Sequence, residues 1–235
     1  MKRCLLSAML ALLSCAAYAQ TPEQIFAAPK VQRALEYLKA TEAETINDQI
    51  KACEIPAPTF AEEKRAAWFK QRFTELGLKN VRIDRAGNVI GERPGTGTGP
   101  VLVLAAHLDT VFPAGTDVRV KREGTMLSAP GIGDDSRGLG VITGIARALN
   151  EAKLETTGTI IFVANVGEEG LGDLRGVRHL FNEEFKGRAT HFISVDGTGL
   201  GVTNTAVGVV RYRVTMHGPG GHSAGSWEST TISRS

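Results

Sequence analysis

Cysteine is almost missing from this 235-residue chain. Of its three cysteines, Cys4 and Cys15 fall in an N-terminal apolar stretch, which leaves Cys53 alone. A lone thiol closes no internal disulfide, so the fold must rest on its core. The expected fate of Cys53 is quiet burial as a small hydrophobe. Long apolar runs are also absent: the run from Leu5 to Ala17 is too short to span a membrane. It follows Lys2 and Arg3 and ends in Ala17-Tyr18-Ala19 before Gln20, the layout of a secretory signal peptide. Residues 1–19 are therefore expected to be removed, and the mature chain to be periplasmic or secreted. A lipoprotein reading through Cys15 is weaker, because Leu13 stands where such signals carry a smaller residue. Cleavage takes away two bases and no acid, so the formal net charge falls from +2 to zero. Nothing in that balance steers the mature chain toward nucleic acid or a membrane. Two catalytic signatures are missing as well. The glycines between Arg93 and Pro100 lack the Lys-Ser/Thr of a phosphate loop, and no His-Glu-x-x-His occurs.

Hydrophobic residues make up 42% of the chain, enough for one α/β domain with a little left over. Residues 30–52 and 60–76 carry apolar positions at helical spacing, with Gly77 as a stop. VRIDRAGNVIGE reads as a hairpin turning at Ala86-Gly87-Asn88, and RPGTGTGP as a flexible connector. From Val101 onward, near-continuous apolar strands (VLVLAA, TIIFVANV, HFISV) alternate with helices over about 138–150 and 174–181. That order predicts an α/β fold whose central sheet is largely parallel and flanked by helices. GVVRYRVTMHG then alternates apolar and polar residues, as a half-exposed strand of a different sheet does. A domain boundary is expected near Asn204, with a catalytic domain over 20–204 and the start of a second domain over 205–235.

Each buried strand runs into chemistry. VLVLAA is followed by His107-Leu108-Asp109, TIIFVANV by Gly167-Glu168-Glu169, and HFISV by Asp196-Gly197. A fourth element, GIGDDSRG, sets Asp134 and Asp135 side by side in a glycine-rich loop ahead of a helix. Singly, each has an ordinary structural account: an Asp caps or turns, a His is hydrogen-bonded, paired glutamates are solvated. Together, at the carboxyl ends of strands in an open α/β sheet, they would repel one another unless a cation sat among them. One His with several carboxylates and no thiolate is a donor set for zinc, or for cobalt or manganese. Asp134 is suited to bridge two ions about 3.5–4 Å apart, while Asp135 meets the helix amides.

The motifs AAHLDTVFP, APGIGDDSRG, VGEEGLGDLRG, SVDGTG and HGPGGHSAG together resemble metallopeptidase family twenty. That family includes the dinuclear zinc hydrolases of the carboxypeptidase G, tripeptidase T, aminoacylase and acetylornithine deacetylase type. The resemblance implies a zinc exopeptidase-like catalytic domain, followed by the first strand of an incomplete α+β lid and dimerisation domain. His107 and Asp196 would be ligands of the first metal, with Asp109 orienting His107. Asp134 would bridge, and Glu169 would bind the second metal. Glu168 would be the general base that moves a proton from water to the leaving amine, and His222 the lid residue that stabilises the oxyanion. Substrates would be small peptides or N-acyl amino acids, and the family forms homodimers. Ser136-Arg137 stands where the family usually has Lys. The ending SWESTTISRS carries no further His ligand, so a truncated chain is expected, one holding no more than about one zinc per monomer with good affinity. Two alternatives remain open here: an inactive fragment, or a lid-less zinc aminopeptidase with a similar His-x-Asp, Asp-Asp, Glu-Glu order. His217, His179 and His191 read as exposed structural residues.

Overall fold

A computed structural model describes residues 20–205, 208, 210, 212, 214 and 215. The expected signal peptide, His217 and His222 lie outside the described residues, as does most of the expected strand after Gly208. The chain divides into two compact units, Met1–Thr198 and Gly199–Ser235. The described part of the second carries no helix or strand. All the helices and strands among the described residues belong to the first.

Helices α1 (Pro22–Ala27), α2 (Pro29–Ala40), α3 (Glu42–Cys53) and α4 (Glu63–Glu75) lead the unit. Thr21 opens α1 with a capping box to Gln24. The helical spacing over 30–52 is interrupted at Thr41, whose hydroxyl donates to the Tyr37 carbonyl at 2.8 Å. A Thr side chain bonded to its own preceding turn competes with the helix ladder, and two helices replace one continuous spacing.

The sheet holds β1 (Lys79–Ile83), β2 (Val89–Arg93), β3 (Leu102–His107), β6 (Ile160–Asn165) and β7 (His191–Ser194) in the order β1-β2-β6-β3-β7. β6, β3 and β7 are parallel; β2 is antiparallel to both β1 and β6. Four of the five strands therefore share one direction. A separate exposed hairpin, β4 (Lys121–Glu123) with β5 (Met126–Ser128), has no counterpart among the elements expected from the sequence; its strands are too short to show a period. RPGTGTGP is more ordered than a flexible connector, because Thr96 and Gly97 donate to the carbonyls of Thr156 and Thr157 at 2.9 and 3.1 Å.

The middle strands read as unbroken apolar runs because both their faces are covered. Leu104, Ala106, Phe162 and Ala164 pack with Phe69 and Phe73 of α4 and with Leu139 and Ile142 of α5 (Ser136–Glu151). Val103, Ala105, Ile161 and Val163 pack instead with Leu180 and Phe185. Each fully buried side chain of this kind contributes about 1.5–3 kcal/mol. Leu180 begins a π-helical turn, Leu180–Glu184, continuing the short α6 (Arg175–His179), so the helix expected over 174–181 changes its winding halfway. Cys53 is fully buried and unpaired.

Candidate metal centre

Register decides where the chemistry lands. His107 stands opposite Asn165 across β3 and β6, and Ala105 opposite Ser194 across β3 and β7. Asp196, two residues past Ser194, therefore comes level with His107, and Glu168 and Glu169 follow β6 out of the same end of the sheet.

His107 is 2% exposed and its imidazole is gripped at both nitrogens. Nδ1 lies 2.9 Å from the Asp109 backbone carbonyl, and Nε2 lies 2.8 Å from Asp134 Oδ1 and 3.9 Å from Asp196 Oδ1. Its ring nitrogen also falls within 4.8 Å of carboxylate oxygens of Glu168 and Glu169 as a group, and of Asp135 and Asp196 as a second group. His107, Asp134, Glu168, Glu169 and Asp196 thus converge. Asp134 and Asp196 keep 60% and 45% of their side chains exposed, so the cluster opens to solvent on their side.

Asp109 is fully buried and sits behind this group. Its carboxylate stays 3.7 Å from His107 Nδ1, beyond hydrogen-bond distance, and is committed elsewhere. Oδ1 accepts from the Glu168 amide and Oδ2 from the Glu169 amide, both at 3.0 Å, and Thr59 Oγ1 donates to Oδ2 at 3.0 Å. The His107 ring meets the carbonyl of Asp109, while the side chain holds the two glutamates in place. Asp135 makes a matching clamp across the other loop. It caps α5 by accepting from Gly138 N at 2.9 Å and accepts from His107 N at 2.9 Å, and the Asp134–Asp135 peptide is cis.

Two arginines brace the same loops. Arg65, 1% exposed on α4, donates to the carbonyls of Ile55, Leu108 and Cys53, at 2.7, 2.6 and 3.3 Å from Nη2, Nη1 and Nη2. Arg175 holds Glu62 in two bonds of 2.8 Å and packs its guanidinium against Gly167. Gly167 has φ of 66°, so only a glycine lets the chain turn there against the arginine. Their sequence signal is faint: an Arg on an otherwise apolar helix face, and an Arg inside VGEEGLGDLRG, six residues past Glu169.

Electrostatics mark the cluster as a place for added positive charge. Burial alone would lower the His107 pKa, yet the carboxylates of Asp109, Asp135 and Asp134 outweigh it and push it up to about 10. Burial, with the Asp196 charge, pushes Asp135 up to about 8. Glu168 is raised by burial and by Asp196, Asp109 and Asp134, and Glu169 by burial and Asp134. Among the described residues no Lys or Arg forms an ion pair with any of these six carboxylates. A divalent cation supplies what they lack, and the imidazole-plus-carboxylate donors fit zinc-type chemistry.

The model of peptidase family M28 matches residues 88–227, more than half of the chain. The chain belongs to peptidase family M28. The M20-type resemblance drawn from the motifs holds as well, through relatives and solved structures. Carboxypeptidase G2 of Pseudomonas sp. (strain RS-16) is 30% identical over 161 residues, 66% of this chain and 38% of that protein. Succinyl-diaminopimelate desuccinylase of Corynebacterium glutamicum is 27% identical over 175 residues, 74% of this chain and 47% of that protein. The aminopeptidase PepT structure from Bacillus cereus matches at a TM-score of 0.56 and 26% identity, over 66% of this chain and 43% of that one. The dinuclear metal binding M20 peptidase YXEP of Bacillus subtilis, at 20% identity and a TM-score of 0.53, shares the fold. The chain thus spans less than half the length of these two curated relatives.

Proposed function

We propose that this chain is a metal-dependent hydrolase that cleaves peptide or N-acyl amide bonds of small substrates at the His107 cluster. One observation carries the reading: a buried imidazole is ringed by six carboxylates without a basic partner among the described residues. The peptidase family and its relatives favour the same chemistry. His107, Asp134 and Asp196 would hold an ion, and Asp134 and Glu169 would offer donors to a second; zinc is the ion this donor set favours, with cobalt or manganese as substitutes. When bound, such ions supply Lewis acidity toward an amide carbonyl and acidify water at the site.

The protein's own part is proton movement and positioning. Glu168 is the general base, and its raised pKa brings it closer to neutrality, where a carboxyl both accepts and returns a proton. It takes a proton from the attacking water and delivers it to the departing nitrogen. Asp109 acts one step behind, holding the amides of Glu168 and Glu169 so that base and ligand keep their spacing. His222, outside the described residues, is assigned to the oxyanion by its motif alone.

The test is hydrolysis by the full chain, reconstituted with zinc, of a tripeptide, a dipeptide and an N-acyl amino acid. Release of amine that stops on chelation and on Glu168→Gln supports the reading, and the responding substrate separates peptidase from deacylase. A metal-loaded chain inert toward all three would remove it. Export belongs to the same proposal: protein recovered outside the cytoplasm should begin at Gln20, and an intact Met1 there would contradict it.

A further inference from the structure

We propose a second metal site, separate from the His107 cluster, formed by Asp84, His179 and Glu184, which takes a zinc-type divalent cation and ties the β1–β2 turn to the α6 region. The three side chains offer one ligand atom each, all within 4.8 Å of one another. His179 Nε2 points between the two carboxylates, 3.8 Å from Asp84 Oδ2 and 3.9 Å from Glu184 Oε1.

Those separations are too long for hydrogen bonds. Nε2 is out of contact with solvent and has no partner, and the side chain as a whole is only 11% exposed. A buried, unpartnered imidazole nitrogen is costly, because its desolvation is not repaid. A tetrahedral zinc with bonds of about 2.1 Å places two of its ligand atoms about 3.4 Å apart, so each His179 separation needs a contraction of roughly half an ångström, and no pair of the three starts more than 4.8 Å apart.

The surroundings hold the ligands in this posture. Asp84 Oδ1 accepts the amides of Ala86, Gly87 and Asn88, each at 2.9 Å, and Oδ2 accepts Asn88 Nδ2 at 2.7 Å, leaving Oδ2 a lone pair toward His179. Arg82 binds the far oxygen of Glu184 at 2.7 Å and so turns Oε1 toward the imidazole. His179 Nδ1 faces Glu183 Oε1 at 3.5 Å, a carboxylate behind the ring of the kind that raises the basicity of a ligating histidine. Glu183 also pairs with Arg85. With Arg82 and Arg85 set against Asp84, Glu183 and Glu184, the site keeps one net negative charge for a cation. The open surface lined by Arg85, His179, Glu183 and Glu184 lies beside it.

The experiment counts zinc bound by the full chain, the His179→Gln variant and the Glu184→Gln variant after equilibration and gel filtration. Thermal midpoints are read with and without zinc. Wild type should hold one ion more than His179→Gln, with Glu184→Gln binding that ion more weakly, roughly 10-fold or beyond. Hydrolysis should be unchanged in both variants, since neither residue belongs to the His107 cluster. A zinc-dependent rise in midpoint should shrink in the variants. Should either variant fold poorly, the His179 imidazole proton resonances of the wild-type chain, followed during zinc addition, give the same answer. Equal ion counts in wild type and His179→Gln, or resonances that ignore zinc, would overturn the proposal and leave His179 a histidine among carboxylates.

Discussion

Glu168 and Arg65 show how differently two charged groups near one site should fail. Glu168 does its work through a proton, so Glu168→Gln keeps shape and removes the base. Turnover should fall by about 10²–10⁴-fold while the zinc count stays unchanged. Metal analysis beside a rate assay checks this, and loss of zinc would make Glu168 a ligand instead. Arg65 touches no candidate ligand. Burial, countered by Cys53, Asp109 and Asp135, draws its pKa down to about 10, so it stays charged at neutrality. Its donors satisfy the carbonyls of Cys53, Ile55 and Leu108, the last of these beside Asp109. Arg65→Met orphans those oxygens at about 1–3 kcal/mol apiece, so urea unfolding should show a loss of about 3 kcal/mol or more. An unmoved midpoint would mean that water replaces the guanidinium.

At the scale of elements, the clamp from α5 to β3 and the attachment of the β1–β2 hairpin make separate predictions. Asp135 closes the start of α5 and the end of β3 with one carboxylate, accepting from Gly138 and His107. Asp135→Ala should cost the capping energy of about 0.5–2 kcal/mol, plus the bond that fixes the His107 backbone. Zinc affinity should drop by about 10–100-fold, the usual effect of removing support behind a ligand. Calorimetry on both proteins measures both quantities. Glu92 on β2 opposes burial with Arg188, Asn80 and Arg82, and the net effect holds its pKa below the usual 4.5. Because the folded value is the lower one, this stabilisation is complete above the unfolded pKa and disappears as pH falls through the folded value. Unfolding midpoints followed from about pH 6 to pH 3 should therefore decline less in Glu92→Gln than in wild type. Parallel curves would assign the acid sensitivity elsewhere.

For the molecule as a whole, metal and fold are coupled, because ions that bind the converged cluster bind only the native state. Zinc at about 100 times its dissociation constant should add about 2.7 kcal/mol per site, and chelation should remove both this increment and all hydrolysis. A thermal midpoint indifferent to zinc would separate metal from stability. Much of this architecture is legible from the residues. The covered strands, the α/β order and the ligands at strand ends all follow from apolar runs and from what terminates them. The break at Thr41, the change of winding at Leu180 and the β4–β5 hairpin do not, because each depends on a local hydrogen bond or on a few residues too short to show a period. His179 reads as exposed in the sequence, yet it lies against Glu184 and against Asp84, which the β1–β2 turn brings in from a distant part of the chain.

The sequence by itself determined which strands are buried and which acids and imidazoles follow them, since hydrophobic period and residue chemistry are properties of neighbours along the chain. Only the tertiary structure decided that Asp196 comes level with His107, that Asp109 uses its carbonyl for the imidazole and its carboxylate for two amides, and that Arg65 reaches three loop carbonyls. Those facts depend on strand register and on contacts between distant segments, and both are settled by packing in three dimensions.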